Sequence, residues 1–314
     1  MTRLTLAVPS KGRLKENSEK WLAQSGFKLR QKGGGRGYTA ELKGLPDADV
    51  MLLSAREIAE GVIGGQIHIG ITGEDLLNDL SHSIDQDVSV MRRLGFGGAD
   101  MIVAVPAAWL DVDTMADLEA AAALFRQRHG RRMRVATKYM RLTRQFFAER
   151  AFGEYRLIES PGATEAAPAA GTAEVVVDIT STGATLKAND LKILSDGVIL
   201  KSQASLAGSI RADWSDDSLT TLRVLLDSTE ATAAANAVSK LETSAPIDSS
   251  VAAELGLSLM TDRTALCPHE KVGDVARALT MAGAKTVAIA TVNQVFSSDN
   301  AVFENFVKKL SRNA

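Results

Sequence analysis

The sequence predicts an α/β protein with mostly parallel sheets, followed by a small α+β module at its C-terminal end. Three observations predict it. From Arg3 to Leu80, short apolar runs alternate with segments of helical period; that is the pattern of strands joined by crossover helices. The apolar run Val175-Val176-Val177 ends in an aspartate and a turn of small and hydroxylated residues. Beyond the polar stretch 211–217, the pattern becomes strand, helix, strand and a final helix.

In order, 3–8 (RLTLAV) reads as a strand. The following helix carries Leu14, Trp21 and Leu22 on one face and stops at Gly26. Residues 32–38 (KGGGRGY) form a glycine-rich loop able to carry Arg36 to a phosphate. It lacks the spacings of a dinucleotide-binding fingerprint or a P-loop. Residues 49–53 are a strand, and Ser54 with Glu57 forms a capping box for the helix after it. Residues 67–72 are a strand and Gly73 opens a helix; 99–106 is a strand stopped by proline; 133–150 reads as strand, turn, helix. Residues 174–179 are a strand, a short helix follows, and 197–209 is extended. Residues 211–217 (RADWSDD) have linker composition, and the period of 219–242 fits either helix or strand. Further strands are expected at 255–262 and 285–292, with helices at 271–284 and 300–310.

The 314 residues carry a formal net charge of -2, 45% hydrophobic and 24% charged residues, and 5% aromatics. Nothing here favours a nucleic-acid or membrane partner. The single cysteine, Cys267, has no internal partner, no apolar leader precedes the first charges, and no run of about 18 apolar residues occurs. A cytoplasmic location is expected. His68, His82, His129 and His269 have no metal-ligand spacing with one another or with Cys267, and His68 reads as structural. The basic run 126–134 reads as a solvated face.

The candidate site is the turn after the valine run. Ligands of parallel α/β sheets sit at strand carboxyl ends, and Asp178 is at such an end. Ser181, Thr182, Gly183, Ala184 and Thr185 then offer backbone N–H groups and hydroxyls ahead of a helix. Such a nest holds an anion, and an adjacent carboxylate suits sugar hydroxyls. Together they fit a 5-phosphoribosyl group. Taken alone, the same turn is equally an ordinary helix cap.

The segment "VVVDITSTGATLKANDL" resembles the 5-phosphoribosyl 1-diphosphate (PRPP) loop of the ATP phosphoribosyltransferases, the first enzymes of histidine biosynthesis. In the same order, "SKGRLKENSEKWLAQSGF", "HIGITGEDLL", "MRRLGFGGADMIVAVP", "RVATKYMRLTRQFF" and "GATEAAPAAGTAE" are similar to other segments of that family. Together they cover most of residues 4–205.

The resemblance implies a two-domain core like that of periplasmic binding proteins, with residues 1–95 and 193–216 in one domain and 96–192 in the other. The chain would cross between them near Arg93–Gly98 and Leu191–Gly197. It implies that N1 of ATP's adenine is joined to C1 of PRPP, with release of pyrophosphate and formation of phosphoribosyl-ATP. Asp178 would hold ribose hydroxyls, and residues Ser181 to Thr185 the 5-phosphate. Glu165 would orient PRPP or its Mg2+ ion. Lys11, Arg13, Arg56, Gly73, Glu74 and Asp75 would line the ATP side. The second strand–helix turn departs from the family: Ser54 stands where an arginine is frequent, Glu57 replaces an aspartate and Ala59 a proline, so Arg56 is the residue expected to supply the charge. Lys11 and Arg13 alone read equally as a solvated helical turn, and Glu74 and Asp75 as acids complementing a helix N-terminus.

Residues 217–314 resemble, more weakly, the ferredoxin-like (ACT-like) regulatory domain of the family's long forms. That implies inhibition by L-histidine and a homo-oligomer, dimer to hexamer; a tail that only joins subunits fits the same residues. Two further functions stay open here. The loop alone also suits a phosphoribosyltransferase with another acceptor base. The hinged shape also suits a non-catalytic regulatory protein that binds PRPP or a nucleotide.

Overall fold

The computed structural model describes residues 3–31, 38–160 and 162–312. The glycine-rich stretch with Arg36 lies outside the described residues, apart from Tyr38. Among the described residues the strands form three sheets.

The first sheet has seven strands, in the order Lys28–Gln31, Thr39–Lys43, Ala48–Leu53, Leu4–Pro9, Ile69–Gly73, Ala204–Ser209, Val88–Arg93. Its centre is parallel, with Leu4–Pro9 between Ala48–Leu53 and Ile69–Gly73. Covered on both faces, Leu4–Pro9 is apolar at nearly every position, as central parallel strands are. The second sheet has five strands, in the order Leu191–Ser202, Ala99–Pro106, Val175–Thr180, Met133–Thr137, Tyr155–Glu159. Parallel pairing holds along Val175–Thr180, Met133–Thr137 and Tyr155–Glu159. Both sheets are thus mixed. Strands reached by a hairpin or by a crossing between lobes pair antiparallel, because no crossover helix is there to turn the chain around.

The chain leaves the first sheet after Arg93 and enters the second at Ala99. The return lies later than the sequence implied. Leu191–Ser202 stays paired with Ala99–Pro106 to the end, Ser202 opposite Ala99, so the crossing falls at Gln203 rather than within Leu191–Gly197. A bulge between Ile193 and Val198 breaks the alternation there and mimics a strand end. The two crossings hold each other: Leu94 N–H donates to Ala204 O at 2.9 Å and Ala204 N–H to Phe96 O at 3.0 Å.

Residues 219–242 resolve into the helix Asp216–Ala235 and the strand Val238–Thr243. The helix buries Ser218, Thr221, Leu222, Leu225, Leu226, Thr229, Ala231, Thr232 and Ala235, one stripe along its length. Small polar residues fill nearly half of it, which hides the period. Their hydroxyls bond back to carbonyls in the preceding turn, as from Thr221 to Asp217 O at 2.9 Å and Thr232 to Ser228 O at 2.9 Å.

This helix packs Leu222, Leu225 and Leu226 into the core of the first sheet. The C-terminal helix Ala301–Ser311 adds Phe306 to the same cluster. The stretch of linker composition is packed as well: Trp214 lies edge-on to His68 at 4.8 Å and to Phe306 at 5.0 Å. His68 is structural, its ring bonded to Thr5 N–H at 3.1 Å and to Asp213 O at 2.9 Å.

Between those helices, the order from Val238 to Thr291 is β-α-β-β-α-β. Its four-stranded antiparallel sheet runs Ser258–Leu259, Thr264–Pro268, Val238–Thr243, Val287–Thr291. Numbered along the chain this is 2-3-1-4, the ferredoxin-like arrangement. Leu241, Ile247, Ala265, Cys267, Val275 and Leu279 form its separate core. Of the expected strand at 255–262 only Ser258–Leu259 pairs; Leu255 ends a helix, Gly256 caps it, and 260–262 turn into the next strand.

Candidate active site

Strand carboxyl ends of both lobes meet the crossings: Glu74 N–H donates to Gln203 O at 3.1 Å, and the Ser181 hydroxyl to Gly98 O at 2.8 Å. From the first sheet, Pro9, Leu53 and Gly73 lead to Lys11, Ser54 and Glu74; from the second, Thr137 and Thr180 lead to Lys138 and Ser181.

The valines of Val175–Thr180 are fully buried and the last three residues half-buried, so the strand turns polar as it leaves the core. Asp178 Oδ1 accepts from Ile179 N–H at 2.8 Å and lies 3.5 Å from Lys138 Nζ. Gly183 has φ 73°, a conformation that favours glycine. Gly183 N–H donates to Thr180 Oγ1 at 2.9 Å and Ala184 N–H to Thr182 Oγ1 at 3.3 Å, while the Ser181 hydroxyl donates to Gly98 O at 2.8 Å. The turn is therefore preformed and tied to the first crossing. Ser181, Thr182, Ala184 and Thr185 are exposed, with the short helix Ala184–Ala188 after them.

Glu165 lies in the 3-10 turn Thr164–Ala166 and is half-exposed. Ser160 N–H donates to Thr137 O at 3.0 Å and Thr164 is buried, which anchors the loop at the end of the strand that leads to Lys138. Among the described residues, no group of three or more His, Cys, Asp or Glu side chains could hold a metal.

On the first sheet, Lys11 and Arg13 are exposed around the start of the helix Gly12–Gln24. The predicted capping box is present: Ser54 N–H donates to Glu57 Oε2 at 2.8 Å and Glu57 N–H to Ser54 Oγ at 3.2 Å. Hydrogen bonding from Ser54, side chain first and backbone next, holds the Glu57 carboxyl below its usual range, and the charge of Lys11 adds to this. Arg56 donates to Glu60 Oε1 at 2.9 Å, one turn along its own helix.

Glu74 and Asp75 are 6% exposed and engaged within the protein. Glu74 takes a two-point bond from Arg93 at 2.9 and 3.0 Å and another from the Ser205 hydroxyl at 2.8 Å. Asp75 accepts from the Tyr139 hydroxyl at 2.7 Å and from the Ser202 hydroxyl at 2.8 Å. Glu74 thus ties strands of the first sheet together beside the crossings, Asp75 joins the two lobes, and neither presents a free carboxylate to a ligand. Gly73 belongs to the same packing, since a Cβ there would overlap the Asp75 carboxylate. Burial, then the neighbouring Asp75, pushes the Tyr139 hydroxyl well above its ordinary pKa, so it stays a donor.

Lys138 and Tyr139 were not singled out from sequence. The signal was in the pairing: Val177 lies opposite Thr137 in parallel register, and one residue further along each chain Lys138 meets Asp178.

The basic run is paired rather than merely solvated: Arg126 and Arg132 face Glu154, and Arg131 and Arg134 face Glu174. None of the helices, among the described residues, is long and apolar enough to cross a membrane.

Two lobes joined by paired crossings, with polar strand ends converging between them, define a hinged α/β protein that carries a ferredoxin-like module. The family model for ATP phosphoribosyltransferase matches residues 54–228. An ATP phosphoribosyltransferase of Caulobacter vibrioides is 49% identical over 316 residues, covering 98% of this chain and 98% of that protein. One from Rhodopseudomonas palustris is 47% identical over 323 residues, covering 98% and 99%. A solved ATP phosphoribosyl transferase (HisG:HisZ) complex from Thermotoga maritima aligns with a TM-score of 0.54 and 23% identity, over 72% of this chain and 98% of that one, a likeness of fold. The chain belongs to the ATP phosphoribosyltransferase family, and it is a transferase.

Proposed function

We propose that the protein joins N1 of ATP's adenine to C1 of PRPP, releasing pyrophosphate and forming phosphoribosyl-ATP, the first step of histidine biosynthesis. The observation that carries this is the end of Val175–Thr180, where a half-buried aspartate runs straight into an exposed, preformed hydroxyl turn. Asp178 accepts from the ribose hydroxyls. Ser181, Thr182, Gly183, Ala184 and Thr185 take the 5-phosphate. ATP lies toward Lys11, Arg13 and the Ser54–Glu57 turn, with Arg56 turning from Glu60 to meet it.

The adenine N1 lone pair is free, so bond formation needs no general base. The residues' task is to hold the two substrates in line and to stabilise charge as the diphosphate leaves. Mg2+, which neutralises diphosphate charge, fits a chain that offers single carboxylates rather than a cluster: such an ion takes one or two carboxylates with substrate phosphates and water. Glu165 is the carboxylate offered.

The ferredoxin-like module supports a regulatory role, with L-histidine as inhibitor, and a homo-oligomer from dimer to hexamer. Incubating the protein with ATP, PRPP and magnesium and following phosphoribosyl-ATP tests the activity. Replacing ATP with other purine and pyrimidine acceptors tests the acceptor. Product from another acceptor only, or from none, contradicts the reading. An unchanged rate with added L-histidine contradicts the regulatory part alone.

A further inference from the structure

The pair Lys138–Asp178 has an unusual setting for an ion pair. Lys138 directly follows the strand Met133–Thr137, whose last residue lies opposite Val177 on the neighbouring parallel strand, one residue before Asp178. The Asp178 side chain is 17% exposed and that of Lys138 38%. The lysine end is open enough for solvent to screen the pair. The lysine is nonetheless held on two sides. Its ammonium is 3.5 Å from Asp178 Oδ1 and 5.1 Å from the centre of the Tyr139 ring, a cation–π distance. That ring is itself fixed, 1% exposed and bonded through its hydroxyl to Asp75.

We propose that Lys138 is a substrate-contacting residue that binds the 1-diphosphate of PRPP, beside the ribose held by Asp178; the inference rests on the function proposed above. An ammonium has three donors and no acceptor. Asp178 stands on one side of it as an ion partner at 3.5 Å, and the exposed side of the group faces outward, where lysine serves a phosphate as a point charge. An acceptor and a donor side by side suit a ribose hydroxyl next to a diphosphate. In the reaction the C1–O bond breaks and both its electrons leave on the diphosphate, while the N1 lone pair of adenine forms the new bond to C1. Negative charge thus grows on the leaving oxygen, and a fixed ammonium there stabilises it.

The experiment compares full-length wild type with Lys138→Met and Lys138→Arg. It measures kcat/KM for PRPP in magnesium buffer, and binding of ribose 5-phosphate, which lacks the diphosphate, by titration calorimetry. Lys138→Met is expected to lower kcat/KM for PRPP about 100-fold, in the range for loss of one preorganised donor. Ribose 5-phosphate binding is expected to stay at the wild-type level, and Lys138→Arg to recover most of the rate. An unchanged kcat/KM in Lys138→Met overturns the proposal. So does an equal loss of PRPP turnover and ribose 5-phosphate binding, because the lysine would then only be holding Asp178 or the turn. Absence of PRPP turnover in the wild type would instead overturn the underlying function and the proposal with it.

Discussion

The Tyr139 hydroxyl donates to Asp75 Oδ2 at 2.7 Å, and this bond joins the two lobes. Asp75 stands in the helix Glu74–Leu80 after a strand of the first sheet; Tyr139 immediately precedes the helix Met140–Glu149 after a strand of the second. Both side chains are buried, where a carboxylate needs its partners. Tyr139→Phe keeps the ring and removes the donor. It is expected to lower unfolding stability by about 1–3 kcal/mol, the cost of a buried group left short of a partner, read from urea denaturation at neutral pH. The pH dependence follows from the raised pKa of Tyr139. Above a pH of about 10 the unfolded tyrosine loses its proton while the folded one keeps it. The unfolded state then binds fewer protons, and stability falls as pH rises. Tyr139→Phe should flatten that alkaline decline; an unchanged decline would contradict the assignment.

The start of the helix Met140–Glu149 has no cap of its own. Asp79 of the other lobe supplies one, its Oδ1 accepting from Arg141 N–H at 3.1 Å and Leu142 N–H at 3.0 Å. These are the N–H groups that a local cap would take. Asp79→Ala should therefore cost about 1 kcal/mol, and Asp79→Asn, which keeps an acceptor oxygen, should recover most of it. Equal midpoints for Asp79→Ala and wild type would refute a cap acting across the lobes.

At the opposite end of the second sheet, Glu174 joins two arginines. Burial pushes its carboxyl up, but hydrogen bonds from Arg131 and Arg134 and from the Arg134 backbone outweigh this and hold it down at about 2. A depressed carboxylate stabilises the fold above its unfolded pKa of about 4.3 and loses that contribution as pH falls toward the folded value. Glu174→Gln should therefore weaken the protein at neutral pH and flatten the decline between about pH 4.5 and 2. Denaturant titrations across that window give the slope, and parallel curves for variant and wild type would contradict the pairing.

The parts of the fold that were legible in sequence share a physical cause. Leu4–Pro9, Val175–Thr180 and the Ser54–Glu57 box declare themselves through local apolar runs and local hydrogen bonds. The helix Asp216–Ala235 did not, because threonine, serine and alanine fill much of its buried stripe. Nor did the attachment of Ala301–Ser311 to the first sheet, since Phe306 finds its partners far away in the chain.

The site divides in the same way. Asp178 and the turn through Thr185 are contiguous, so their arrangement could be read directly. Glu74 and Asp75 looked available because a helix N-terminus favours acids; only the fold shows that Arg93, Ser205, Tyr139 and Ser202 engage them. Lys138 lies far from Asp178 in sequence and meets it only through strand order.

The central claim is that Asp178 holds the ribose of PRPP in a transfer to ATP. The most direct measurement is the steady-state rate of phosphoribosyl-ATP formation by wild type and Asp178→Ala, with magnesium, saturating ATP and varied PRPP. The account predicts product from the wild type and a loss of at least about 100-fold in kcat/KM for PRPP in the variant, since a positioning contact at the reacting sugar is removed. A variant that keeps the wild-type kcat/KM, or a wild type that forms no phosphoribosyl-ATP, would contradict it.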